Sequence, residues 1–118
     1  MQVGQFAELR RTYTPADLKA FATLSGANRT DHVPEPLIGA LFSYLLGVRL
    51  PGSGTNYLKQ DLIFLAPAPV GDELVARVEI TRRRPEMRLV DLWATCTGPD
   101  GSLICEGRAL VKATEWEP

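Results

Sequence analysis

His32 is the only histidine in this 118-residue chain, and it stands beside Asp31 in a polar stretch from Ala27 to Val33. An imidazole titrates near neutrality, so it can take up and release protons under ordinary conditions. Carboxylates close to it would extend that to general acid/base chemistry, and Asp31 and Glu35 are the nearest along the chain. Asn28 and Ser25 can orient water or substrate, although both are also ordinary loop formers. A second group that could do chemistry is basic. Arg82, Arg83 and Arg84, with Arg88, form the one cationic cluster. Guanidinium groups pair bidentately with phosphate. Otherwise a charged turn is simply solvated.

Other chemistries find no support. There is no metal-ligand constellation, no Walker-type loop, and neither a Gly-x-Gly-x-x-Gly nor a Gly-x-Ser-x-Gly motif. Gly52-Ser53-Gly54 follows a helix and precedes a strand, the wrong setting for a phosphate loop. The spacing of Cys96 and Cys105 matches no zinc or redox motif, so two reduced thiols are expected. The formal charge of −1 gives no general pull toward nucleic acid or anionic membrane. Met1 to Gln5 carries no basic region followed by an apolar run, and Leu37 to Val48 is too short to span a bilayer. The expected location is the cytoplasm, with no membrane and no nucleic-acid partner.

The elements that must position these residues are read from punctuation and period. Phe6 to Tyr13 reads as a strand. Thr14-Pro15-Ala16-Asp17 opens a helix: Thr14 can cap free N–H groups, Pro15 suits the first helical position and Asp17 the positive helix end. Ser25-Gly26 closes it. Pro34-Glu35-Pro36 leads into a second helix through about Val48 that is apolar nearly all round, so it is expected to be buried on every face. Four strands follow, Asn56 to Pro67, Glu73 to Arg82, Leu89 to Thr97 and Leu103 to Thr114. The last two form a hairpin around Gly98-Pro99-Asp100-Gly101. A two-residue Asp-Gly loop there would set Cys96 opposite Cys105, a poor placement for a relaxed disulfide. One α+β domain over residues 1–118 results, its antiparallel sheet curled around one long central helix, with a short helix before it.

Taken together, Thr14 to Gly26, Leu50-Pro51-Gly52-Ser53-Gly54-Thr55, Tyr57 to Leu62, and Phe64, Pro67, Pro69, Val70, Gly71 and Asp72 resemble the MaoC-like, R-specific enoyl-CoA hydratases over almost the whole chain. The resemblance implies a hot-dog fold. The family's active-site loop, Ser-Gly-Asp-x-Asn-Pro-x-His, is here Ser25-Gly26-Ala27-Asn28-Arg29-Thr30-Asp31-His32. The histidine is kept as His32. Ala27 stands in the aspartate position, Arg29 in that of the asparagine and Thr30 in that of the proline. A stretch between the histidine and a His-Gly-Met segment at the start of the central helix is shortened. The glycine of that segment, whose N–H binds the thioester oxygen, corresponds to Glu35 or Pro36. Proline has no N–H, so Leu37 is a further candidate at the helix N-terminus.

The resemblance implies hydration or dehydration of an acyl thioester on coenzyme A or a carrier protein, with no cofactor or metal. His32, Asp31 and Asn28 would form the catalytic set. Ser25, Glu35, Leu37, Tyr44, Lys59, Gln60, Arg83 and Arg84 would contact substrate, the arginines through the phosphates of coenzyme A. A homodimer is implied, with sheets paired edge to edge; covering an exposed edge strand is an independent physical reason for one. Two other readings stand beside this: a non-catalytic thioester-binding or accessory module that has lost the aspartate, and an acyl-CoA thioesterase on the same fold.

Overall fold

Leu74, Ala76, Val78 and Ile80 alternate with exposed or half-buried neighbours, and in the computed structural model, which describes residues 1–27 and 31–114, they form the spine of a five-stranded sheet. The strands are β1 (Phe6–Thr12), β2 (Asn56–Phe64), β3 (Glu73–Arg84), β4 (Leu89–Thr97) and β5 (Leu103–Lys112). They lie in the order β1-β3-β4-β5-β2 and every pairing is antiparallel. Helix α1 (Pro15–Ser25) precedes helix α2 (Glu35–Tyr44), whose last turn is a π-helical segment, Leu45–Arg49. The Thr14 cap forms as read: Thr14 Oγ1 accepts from Asp17 N–H at 3.2 Å and the Asp17 carboxylate accepts from Thr14 N–H at 2.9 Å.

The inner face of the sheet packs on one side of α2. Ile38, Phe42, Leu45 and Leu46 are buried there against Val78, Ile80, Val90, Leu92, Ala109 and Val111. Each large side chain so buried contributes about 1.5–3 kcal/mol. This is the hot-dog arrangement.

The expectation that α2 is buried on every face does not hold for the single chain. Ala40, Ser43, Tyr44, Gly47 and Val48 are exposed. The sheet curls over one side only, and β2 at its edge has no strand beyond it. Leu58 on β2 is exposed as well, and Ile63, in register with Glu106 between the core-packed Leu62 and Phe64, is exposed on the outer face, as is Leu65 just after β2. β3 also runs two residues beyond the predicted end at Arg82. Arg83 and Arg84 therefore lie on a strand, and the turn is Pro85–Met87.

Cys96 and Cys105 are register partners, both buried and both free. The loop is longer than two residues, because a bulge after Cys96 shifts Thr97 onto Leu103. Burial pushes the Cys96 thiol up to about 12 and the Cys105 thiol up to about 11. At Gly107 the β5 backbone runs so close to β2 that a Cβ would overlap the Asp61 carbonyl oxygen and meet Leu62 Cα at 2.8 Å.

Candidate active site

Pro67 and Pro69 follow β2 and cannot donate to a strand ladder, so the chain leaves the sheet there. The freed segment meets the His32 loop instead. Val33 N–H donates to Ala68 O at 2.8 Å, and His32 bridges to Pro69. On the other side, the buried Tyr13 hydroxyl donates to Leu37 O at 3.1 Å and ties down the first turn of α2. Desolvation pushes the Tyr13 phenol up, which keeps it a neutral donor. These ties set His32 and the start of α2 against the end of β2.

A cleft of about 240 Å³ lies between them. His32 and Glu35 supply its polar groups; Val33, Ile38 and Phe64 line its apolar side, and Leu65 to Ala68 complete the wall. His32 is half-buried, and its Nδ1 stands 3.6 Å from the Asp31 carboxylate, which is fully exposed. At that distance the pair is an ion-pair contact rather than a hydrogen bond, and in solvent it contributes little energy.

The helix N-terminus decides which amide can serve an oxyanion. Leu37 N–H already donates to Pro34 O at 3.0 Å, so the Leu37 candidate is set aside. Pro34 and Pro36 have no N–H. Glu35 lines the cleft, and its N–H has no hydrogen-bond partner among the described residues. Of the two positions left open by sequence, Glu35 is the one with a donor to give.

The other predicted residues fall into three places. Ser25 caps the end of α1, donating to Phe21 O at 2.7 Å and accepting from Ala27 N–H at 3.2 Å, and it does not line the cleft. Tyr44 is on the exposed side of α2, its ring 5.7 Å from the Arg49 guanidinium, also outside the cleft. Lys59 and Gln60 border a second, shallower cleft of about 280 Å³ with Ser43, Tyr57 and Leu58. Eight helical residues separate Glu35 from Ser43, so the two clefts lie roughly 12 Å apart on one seam between α2 and β2. Arg84 lies at the opposite end of the sheet: its register partner is Leu89, whereas Phe64 at the His32 cleft pairs with Cys105. Arg83 is its neighbour, so neither arginine is brought to the cleft. Asn28 lies outside the described residues. Among the described residues no group of three or more His, Cys, Asp or Glu could hold a metal ion, and no helix is long and apolar enough to cross a membrane.

Phe64 and Leu65 to Ala68 were not identified from sequence as site residues. Their signal is the Pro67/Pro69 pair, which marks where backbone is released from the sheet.

No family model matches the chain. It is, however, 35% identical to an (R)-specific enoyl-CoA hydratase of Aeromonas caviae, over 95% of each chain. It is 36% identical to an (R)-specific enoyl-CoA hydratase of Rhodospirillum rubrum, over 92% of this chain and 85% of that one. The solved structure of the Aeromonas caviae (R)-hydratase involved in PHA biosynthesis superposes with a TM-score of 0.89, covering 95% of this chain and 96% of the other. The 127 aligned positions of the first match exceed the length of this chain, so that relative carries residues with no counterpart here. With identity at this level over nearly the full length of both chains, and a His32 cleft at the start of the central helix, the chain belongs to the (R)-specific enoyl-CoA hydratase family.

Proposed function

We propose that the chain is an (R)-specific hydratase or dehydratase of acyl thioesters, with the reacting enoyl group in the His32 cleft. The observation that carries this is that a half-buried imidazole and Glu35, whose N–H has no partner among the described residues, line one small cleft. In hydration, the water oxygen bonds to the β-carbon of the enoyl thioester while His32 takes a water proton. The displaced electron pair passes to the thioester oxygen, which Glu35 N–H holds. The imidazolium then returns the proton to the α-carbon. Dehydration is the reverse. Asp31 orients the ring, and the Glu35 carboxylate positions the water.

Ala27 removes one proton-transfer group from the family's pair, and such a group contributes about 100- to 10,000-fold. A turnover slower than that of an intact pair is therefore part of the proposal. The cleft has room for the thioester and a short acyl chain. The Ser43–Lys59–Gln60 cleft on the same seam supports a path for the rest of the carrier, coenzyme A or a carrier protein. The exposed apolar surface of α2 and β2 supports a homodimer that covers this seam. The cytoplasm is the proposed location.

The test is hydration of crotonyl-CoA by purified protein, with product configuration, beside a His32→Ala variant. Formation of the (R)-3-hydroxy thioester that falls at least 100-fold in the variant supports the reading. No turnover with several chain lengths, but saturable acyl-CoA binding, would replace it with the thioester-binding module. Release of free thiol would replace it with a thioesterase.

A further inference from the structure

We propose that Thr81, Arg82, Arg84 and Arg108, set around Asp91 on the outer face of the sheet, form a binding site for a diphosphate group, separate from the His32 cleft. The site begins with a bulge. Ile80 faces the core opposite Leu92, and the next register pair is Arg82 with Asp91, so Thr81 is an extra residue in β3. Without it, strict alternation would put Arg82 and Arg84 on the same inner face as Ile80. The bulge turns both arginines outward, a re-aiming for which such insertions are used. Thr81 Oγ1 donates to Asp91 O at 3.2 Å and secures the insertion to β4.

Asp91 is only 4% exposed and is the one buried charged residue among the described residues. Its Oδ2 accepts from Arg84 Nη2 at 2.9 Å. Its Oδ1 accepts from Arg108 Nε at 2.8 Å and from Arg108 Nη2. One carboxylate thereby holds two guanidinium forks in place while using a minority of their N–H groups. Arg84 Nε is buried with no acceptor. Arg82 makes no hydrogen bond or ion pair among the described residues. The shallow cleft these residues line, about 340 Å³, thus carries three guanidinium groups against one carboxylate. Asp61, register partner of Arg108 on β2, pairs with Lys59 at 3.9 Å. The cleft lining has two positive charges in excess, with the Arg84 and Arg108 donors already oriented by Asp91. That is the requirement for a dianionic or trianionic phosphate group, which planar guanidinium forks grip bidentately.

Trp93 stands beside this cleft. It is two residues from Asp91 on the same face, in register with Arg108, and 43% exposed. An exposed indole there offers a stacking face for a base, so a nucleoside diphosphate and free pyrophosphate share the required chemistry. Asp91 is five β4 residues from Cys96, which marks the His32 end of the sheet, roughly 17 Å along the strand. The site is also on the opposite face of the sheet from α2.

The chain has two tryptophans, Trp93 and Trp116, so Trp116→Phe leaves Trp93 as the sole reporter. Pyrophosphate and ADP are titrated into this protein at constant ionic strength, with chloride as the control anion. Emission is followed together with calorimetry. The expected result is a saturable change with both ligands, none with chloride, and at least tenfold weaker binding in Arg82→Gln. That variant removes no contact, so its unfolding midpoint should stay unchanged. Tighter binding of ADP than of pyrophosphate would identify a nucleotide stacked on Trp93; equal binding would identify the diphosphate alone. Neither emission change nor heat, or unaltered binding in Arg82→Gln, would overturn the proposal and leave the cluster as a purely structural brace for Asp91.

Discussion

Gly107→Ala is the sharpest test of how the sheet positions the site. Gly107 pairs with Leu62 across β5 and β2, and β2 carries Phe64 and the segment that meets the His32 loop. A Cβ on residue 107 would overlap the Asp61 carbonyl oxygen and lie 2.8 Å from both Asp61 C and Leu62 Cα. All three are backbone atoms, so no rotamer change relieves the overlap. The strands must separate until these contacts reach ordinary van der Waals distance, and the ladder hydrogen bonds beside Gly107 stretch beyond useful length. Overpacking of this kind costs about 1–3 kcal/mol. Two weakened ladder bonds add about 1 kcal/mol each. A loss of about 3–5 kcal/mol follows, a large fraction of the roughly 5–15 kcal/mol that stabilises a domain. Denaturant unfolding followed by far-UV circular dichroism reads it as a lower midpoint at unchanged slope. Hydratase activity should fall further than the unfolded fraction explains, because β2 forms one wall of the cleft. A variant within about 0.5 kcal/mol of wild type, the ordinary range for an uninvolved surface position, would refute the close approach of β5 and β2.

Three further predictions concern other parts of the molecule. Both thiols are held up by burial, so the folded state keeps its protons where the unfolded state loses them. Stability from this source is therefore complete below about pH 9, the unfolded value, and declines as pH rises toward 11–12. Unfolding midpoints across pH 8 to 11 for wild type and a Cys96→Ala, Cys105→Ala double variant check this, the variant showing the shallower decline. Phe64→Ala should open the end of the 240 Å³ cleft and shift the kcat/KM optimum toward longer enoyl chains, measured with four-, six- and eight-carbon substrates. Ile63→Glu puts a charge on an exposed apolar position of the edge strand β2, and if the proposed homodimer pairs through that edge, sedimentation should show the variant as the 13.0 kDa chain and wild type at twice that mass.

The frame of the fold was legible because its signals are local. The Thr14 cap and the alternation along β3 each depend on a few neighbouring residues and form as read, and the β4–β5 hairpin forms where its turn residues stand, although its loop is longer than the two-residue Asp-Gly loop. Cys96 meets Cys105 even though the hairpin loop is bulged. The site was legible only in part. His32 and Glu35 are three residues apart and come together through the start of one helix. Phe64 and Ala68 reach them from more than 25 positions away, and no periodicity reports that meeting. That the Leu37 N–H is already engaged is invisible in composition, since it depends on a 3.0 Å hydrogen bond to Pro34 O. The exposed side of α2 was misread because an apolar face is equally satisfied by a sheet or by a partner subunit. The arginines were read as a turn, whereas the bulge at Thr81 carries the strand past them and aims two of them outward.

The proposed joint action of Glu35 N–H and His32 on a thioester in one cleft is read out by kcat/KM for crotonyl-CoA hydration in Glu35→Ala and Glu35→Pro. Proline is accommodated at the first position of a helix, so the second variant deletes the N–H while keeping α2. Both lose the carboxylate, and only the second loses the backbone donor. Glu35→Pro should be slower than Glu35→Ala by about 100- to 1,000-fold, as for loss of one oxyanion donor. Equal rates in the two variants would contradict it.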